Sequence, residues 1–154
     1  MFSIFKRKTK QVNPFEQGWL SDLIDIHCHL LPAVDDGSKS IEETLSLIDL
    51  LEEIGVKQHI LTPHIMEEYP SNDAIFLRAR FEELLAAITP DKASRLRLAA
   101  EYMLDAAFLD RLSEPLLTLG DRYILVETSY MAPPIGLMGL LADLRFKGLS
   151  PVLA

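Results

Sequence analysis

His27 and His29 stand one residue apart at the end of an apolar run, and Asp35-Asp36-Gly37 follows shortly after. Alternate side chains of an extended strand share a face, so this spacing predicts His27 and His29 on one side and Cys28 on the other. Neutral imidazoles on one face suit a divalent transition metal, and the carboxylates just downstream can add oxygen ligands. A His-x-His pair alone is weak evidence, because paired polar residues on a strand face are more often surface or satisfied interior groups. The signal strengthens because His64, Glu101 and Glu127 each follow a later apolar run.

The elements that must position these residues alternate short apolar runs with helical periods, as in a parallel β/α fold. The first strand is expected over Leu23–His29. Ser40 and Glu43, three apart, read as a capping box opening a helix to about Glu53, which Gly55 ends. Val56–Thr62 reads as a second strand stopped by Pro63 and delivering His64. A loop through Tyr69–Asp73 leads to a helix over Ala74–Ile88. A third strand over Arg95–Ala100 exits at Glu101, and Leu104–Leu112 reads as a short helix. Tyr123–Val126 is a fourth strand with Glu127 at its end. A helix over Ile135–Lys147 is closed by Gly148, and Ser150–Ala154 opens a fifth strand. His27, His29, His64, Glu101 and Glu127 therefore fall at the C-terminal ends of successive strands, the rim where β/α barrels gather ligands and catalytic groups.

Bulk properties narrow the function classes. At 154 residues the chain is one domain's worth of sequence, long enough to bury a core. Fifteen Lys+Arg against 23 Asp+Glu give a net charge of −8, which disfavours nucleic-acid binding. A single cysteine rules out an internal disulfide framework and suits a reducing, cytoplasmic location. No stretch approaches a membrane span, so stable membrane insertion is not expected. Residues 1–20 read as a flexible basic leader without the apolar region of a signal peptide. Phe2, Ile4, Phe5 and the basic residues around them offer a weaker alternative, contact with an anionic membrane or acidic partner.

Five segments also carry a family resemblance: Asp25-Ile-His-Cys-His-Leu-Leu-Pro-Ala-Val-Asp-Asp-Gly37, Thr62-Pro-His64, Ala100-Glu101-Tyr102, Tyr123-Ile-Leu-Val-Glu127 and Gly148-Leu-Ser-Pro-Val-Leu-Ala154. From about Leu23 to the last residue the chain resembles the polymerase-and-histidinol-phosphatase (PHP) superfamily. It looks most like the manganese-dependent bacterial protein-tyrosine phosphatases linked to capsule and exopolysaccharide synthesis. The resemblance implies a distorted seven-stranded (β/α) barrel, of which residues 21–154 would be the N-terminal part, ending after about five strands. It implies Mn2+ as cofactor, up to three ions in the complete protein, held here by His27, His29, Asp36, His64, Glu101 and Glu127. Further ligands and a phosphate-facing arginine, which the family supplies in a later His-Pro-Glu-Arg-like motif and an Asp-x-His pair, lie outside this sequence. The implied reaction is phosphomonoester hydrolysis by metal-activated water, on a phosphotyrosine protein such as a bacterial tyrosine kinase. Two alternatives stand beside it: another PHP-type phosphoesterase, acting on a substrate like histidinol phosphate, and an inactive metal-binding fragment.

Several neighbouring residues take plainer roles in this reading. Asp35 is a turn residue ahead of Gly37 or an acceptor behind the ligands. His59 is a structural histidine inside its strand. Asp25 shares the face of His27 and His29 by parity, but a structural role is favoured over ligation. Cys28 lacks the phosphate cradle and glycine-rich loop that a phosphatase nucleophile needs, so a packed, inert thiol is expected. Tyr69, Tyr102, Tyr130 and Met131 could line the mouth of the site, and core packing or plain surface is as good a reading for each. Met66-Glu67-Glu68 is expected to be an exposed loop without an assigned role.

Overall fold

The computed structural model describes residues 20, 21 and 23–154. The expected basic leader lies almost entirely outside the described residues. The fold is α/β, and among the described residues the strands pair in parallel, with one isolated antiparallel bridge between Leu119 and Tyr123. The chain runs β1 (Ile24–Cys28), α1 (Ile41–Glu53), β2 (Gln58–Leu61), β3 (His64–Ile65), α2 (Ala74–Ala87) and α3 (Pro90–Ser94). It continues β4 (Leu96–Leu98), β5 (Glu101–Met103), α4 (Phe108–Arg111), β6 (Tyr123–Glu127), α5 (Leu137–Phe146) and β7 (Ser150–Leu153).

Among the described residues seven short strands appear where five were expected, because the chain pairs again just beyond the expected ends of the second and third strands. The expected second and third strands, as β2 and β4, join β1 in a sheet of order β1-β2-β4, and the added β3 and β5 belong to a sheet of order β3-β5-β6-β7. The break between β2 and β3 falls at Thr62-Pro63, where proline removes a ladder donor. Bonds across the gaps keep the five positions in sequence: Thr62 N–H donates to Cys28 O (2.8 Å), Ala99 N–H to Leu61 O (2.9 Å) and Glu101 N–H to Pro63 O (3.1 Å). Glu101 consequently opens a new strand, β5, instead of sitting at the exit of the third.

Local chemistry accounts for the helix starts. Ser40 accepts from Glu43 N–H, whereas Glu43 Oε2 takes the N–H of Lys39, so the reciprocal half of the cap is displaced by one residue. Asp73 caps α2 through Phe76 N–H. Thr89 caps the one-turn α3 with Pro90 at its first position, a helix that the periodicity did not disclose. The short helix expected from Leu104 shrinks to Phe108–Arg111 because Asp105 occupies a turn, accepting from Ala107 N–H and pairing with Arg111.

The main core lies between the sheets and the helices. Leu31, Leu61, Leu77, Leu84, Tyr102, Phe108, Ile124 and Leu144 fill it. A smaller cluster of Ala99, Leu119 and Leu125, with Ile60 and Val152, forms on alternate positions of the strands. Tyr102, offered as a possible mouth residue, belongs to the main core, where its hydroxyl accepts from Leu117 N–H (2.8 Å). Among the described residues no helix is long and apolar enough to cross a membrane.

Candidate metal centre

Glu101 lies at the centre of the rim. It is 2 % exposed and surrounded by three imidazoles: its Oε1 is 3.1 Å from His27 Nε2, and its Oε2 is 3.1 Å from His29 Nε2 and 3.3 Å from His64 Nδ1. Backbone register explains the meeting, since His64 of β3 pairs directly with Glu101 of β5. His27 and His29 reach it from the end of β1, and Glu127 from the end of β6. Glu127 Oε2 stands 3.8 Å from His64 Nδ1, and Asp36 Oδ1 is 3.6 Å from His64 Nε2.

The arrangement divides into three overlapping donor sets: His27, His29 and Glu101; His29, Asp36 and His64; His64, Glu101 and Glu127. Within each set the donor atoms lie within 4.8 Å of one another. Glu101 belongs to two sets and presents a different oxygen to His27 than to His29 and His64, as a bridging carboxylate would. His64 Nδ1 and Glu127 Oε2 are buried without a hydrogen-bond partner. Leaving such atoms unpaired is costly, and a cation between them would satisfy both. The imidazole and carboxylate donors thus fit divalent ions.

Asp35 organises the centre from behind. It is buried; its Oδ2 takes His29 Nδ1 (2.9 Å) and the backbone N–H of His64 (3.0 Å), and its Oδ1 takes Gly37 N–H (2.9 Å). One carboxylate therefore closes the turn and orients an imidazole whose other nitrogen faces Glu101, the usual support for a metal-bound histidine. Both plain readings of Asp35, turn residue and acceptor behind the ligands, apply at once. Burial opposes its charge, but the His29 ring and the two amides outweigh burial and hold the carboxyl below its ordinary range. The mirror effect acts on His29. Burial works to lower its pKa, and the carboxylates of Asp35 and Glu101 more than reverse this, raising it to about 10.

Three residues take supporting roles that their place in the sequence did not disclose. Gly37 passes so close to β1 that an added Cβ would lie 2.1 Å from His29 O, so glycine is required by contact alone. Thr62, fully buried, accepts Cys28 N–H (3.0 Å) and bridges the strand break. Asn72 donates to both Val34 O (3.0 Å) and His64 O (2.8 Å), clamping two rim segments together. Asn72 was legible only as one more turn residue in Ser71-Asn72-Asp73.

The expectation for Asp25 needs correction. Between Asp25 and Cys28 the β1–β2 register shifts by one residue: Asp25 pairs with His59, whereas Cys28 pairs with Leu61. The bulge breaks the alternation, and Asp25 leaves the face of His27 and joins His59 and Cys28. Its Oδ1 instead accepts the N–H of His27 (3.2 Å). Cys28 faces the core side, where burial first, and then Asp25, pushes its thiol pKa well up. Its Sγ lies 3.5 Å from Ile60 O, so a thiolate nucleophile directed at the rim has no support.

An open cavity of about 390 Å³ adjoins the centre, lined by Asp36, His64, Tyr69, Asp105, Glu127 and Tyr130 among others. Tyr69 stacks on His64, with ring centroids 6.0 Å apart and planes at 7°. Tyr130 is almost wholly exposed at its edge. Met66-Glu67-Glu68 is part of the wall, and Glu67 N–H is anchored to Asp105 Oδ2 (2.9 Å).

Comparison with known proteins adds independent findings. The family model described as "Capsular polysaccharide synthesis, CpsB/CapC" matches residues 23–154. Tyrosine-protein phosphatase YwqE of Bacillus subtilis (strain 168) is 29% identical over 140 residues, covering 86% of this chain and 53% of that protein. Tyrosine-protein phosphatase CpsB of Streptococcus pneumoniae is 34% identical over 143 residues, covering 86% of this chain and 56% of its own length. A chain from the crystal structures of YwqE and CpsB, described as unique metal-dependent tyrosine phosphatases, matches with a TM-score of 0.74 and 29% identity. That match covers 85% of this chain and 54% of the solved one. The chain spans about half the length of these relatives.

Proposed function

The chain belongs to the CpsB/CapC family of capsular polysaccharide synthesis, and from that premise we propose that it carries the metal-binding part of a metal-dependent protein-tyrosine phosphatase. The observation that carries this reading is the buried Glu101 carboxylate held among His27, His29 and His64, with Glu127 and Asp36 beside it. In this proposal those six residues hold divalent ions, manganese first and up to three in the full-length protein. Bound there, the ions would supply Lewis acidity toward phosphoryl oxygens and toward a water molecule.

The chain's own residues do the rest. Asp35 fixes the His29 ring, Asn72 and the Gly37 contact hold the loop that carries Asp36, and Glu101 offers separate oxygens to its neighbours. Tyr69, stacked on His64 beside the cavity, gives an aryl phosphate a flat surface. Cys28 takes no part, so no phosphocysteine forms. The substrate is a phosphotyrosine protein; the names of the relatives support that class, and a bacterial tyrosine kinase in the cytoplasm is the partner this reading favours.

Manganese-dependent hydrolysis of a phosphotyrosine peptide tests the proposal, run on this chain and on a version extended to the length of its relatives. Activity that appears with manganese, is lost in His27→Ala and survives in Cys28→Ser is the expected result. Preference for histidinol phosphate would replace the substrate class, and a manganese-loaded extended protein inert on both would overturn the phosphatase reading.

A further inference from the structure

The same strand that feeds the rim carries a second set of donor atoms on its other face. At the β1 bulge, Asp25, Cys28 and His59 each offer one donor atom, and the three lie within 4.8 Å of one another. His59 is 1 % exposed, and neither ring nitrogen has a hydrogen-bond partner. Its Nδ1 stands 3.6 Å from Asp25 Oδ2, beyond hydrogen-bonding distance. Two donors sharing a tetrahedral ion at zinc-like bond lengths of ~2.1 Å are separated by about 3.4 Å, close to what is seen here. A buried imidazole with both nitrogens unpaired calls for a partner.

We propose that Asp25, Cys28 and His59 form a second metal site, separate from the rim, that takes zinc or a similar borderline ion and ties β1 to β2. The mixed sulfur, nitrogen and oxygen set discriminates against manganese, which prefers oxygen donors, and so distinguishes this site from the rim. On binding, the Cys28 S–H bond breaks, its electron pair forms the sulfur–metal bond, and the proton leaves to solvent. No electron is transferred. The thiolate and the Asp25 carboxylate then balance the dication, so the buried unit is neutral and avoids the cost of an isolated charge. A cleft of about 200 Å³ lined by Ile24, Gln58, His59, Arg95 and Arg97 adjoins the His59 side of the set. Arg95 there is already paired with Glu52 and Asp91, and Arg97 with the carbonyls of Ser94 and Leu96.

Cobalt(II) titration of the metal-stripped chain tests this directly. Cys28 is the only cysteine of the sequence, so a thiolate-to-cobalt charge-transfer absorption reports this site and no other. The expected result is a band saturating at one cobalt per thiol and displaced by zinc but not by manganese. It should be absent in Cys28→Ser and weakened at least about tenfold in affinity in His59→Gln. Glu101→Gln, which dismantles the rim, should leave it intact. Because His59 is buried, its variant counts only with the parent's circular dichroism spectrum; Asp25→Asn is read in parallel and should weaken the band likewise. No band in the folded parent chain, or a band unchanged in Asp25→Asn, overturns the proposal.

Discussion

Two of the connections that leave the rim are built in opposite ways. The loop from β1 to α1 begins at His29 and is buried through Leu30, Leu31, Val34 and Asp35. It is closed by Ala33 N–H to Ser38 O (2.8 Å) and Ser38 N–H to His29 O (3.0 Å), and Asn72 holds it from outside. The connection from β6 to α5 begins at Glu127, and its Tyr130, Met131 and Ile135 lie almost fully in solvent. Beyond Glu127, whose carbonyl accepts from Leu104 N–H (2.9 Å), its hydrogen bonds are local, such as Met131 N–H to Ser129 Oγ (3.2 Å). The His29 side of the centre is thus fixed by packing and hydrogen bonds before any ion arrives, whereas the Glu127 side keeps an unpartnered oxygen and an open wall. A metal centre benefits from this division: a fixed imidazole sets the geometry, and an adjustable carboxylate completes it.

The largest effect should come from the residue shared by the two halves. Glu101→Gln removes a charge common to two donor sets, so manganese affinity by calorimetry should fall more than about 100-fold, beyond the 10–100-fold typical of losing an outer partner. A smaller loss would mean that the three imidazoles bind the ion without it, and the centre would not be built around Glu101. Gly37→Ala comes next. Its new Cβ cannot coexist with His29 O at 2.1 Å, so the fixed loop must shift, and about 10–100-fold weaker manganese binding is expected. An unchanged affinity would show that the loop is not rigid, and would erase the contrast with the β6–α5 side.

Asp35→Asn tests the same rigidity through pH. In the metal-free chain the Asp35 carboxyl sits below its ordinary value of 3.8, so its contribution to stability is complete above that pH and lost as pH falls through the depressed value. His29 behaves oppositely. Raised from 6.5 to about 10, it stabilises fully below pH 6.5 and loses that contribution as pH rises toward 10. The thermal midpoint of the metal-free chain should therefore be highest between about pH 4 and 6.5. In Asp35→Asn both limbs should shrink together, because the variant lacks the carboxyl that titrates on the acid side and His29 loses that carboxylate as its partner. Shrinkage of the acid limb alone would mean that Glu101, not Asp35, holds the His29 proton. Asn72→Ala should cost about 1–3 kcal/mol in denaturant unfolding, the price of leaving Val34 O and His64 O without a donor.

The sequence made the β/α rhythm and the rim legible because both follow short-range rules. Expected strand exits bring His64, Glu101 and Glu127 to one rim without knowledge of the tertiary fold, although His64 and Glu101 turn out to open β3 and β5. Ser40 shows the same rule at a helix start. What escaped depends on distances between segments far apart in the chain. The β1 bulge that moves Asp25 to the face of His59 is a register shift against β2, and parity within β1 alone cannot reveal it. Likewise the separate pairing of β3 and β5 is a choice of partners, made where Pro63 withholds a donor. Asn72 is thirty-eight residues from Val34 in sequence, so a turn composition could say only that the chain bends there.

The smallest expected effect lies on the open side, and it decides whether that side is open in energy as well as in shape. Tyr130 is 95 % exposed, yet it borders the cavity beside Glu127. An aromatic ring in that position buries almost nothing, so Tyr130→Ser should change unfolding free energy by less than about 0.5 kcal/mol. Leu31→Ala, in the fixed loop and wholly buried, should cost about 2–5 kcal/mol under the same conditions. If Tyr130→Ser approached the Leu31→Ala loss, the β6–α5 connection would have to fold against the body in solution, and the two sides would be equally rigid. With the expected separation, Tyr130 is free to move toward a bound aryl phosphate at little cost to the fold, and a rise in KM for a phosphotyrosine peptide in the extended protein would be the measurable sign.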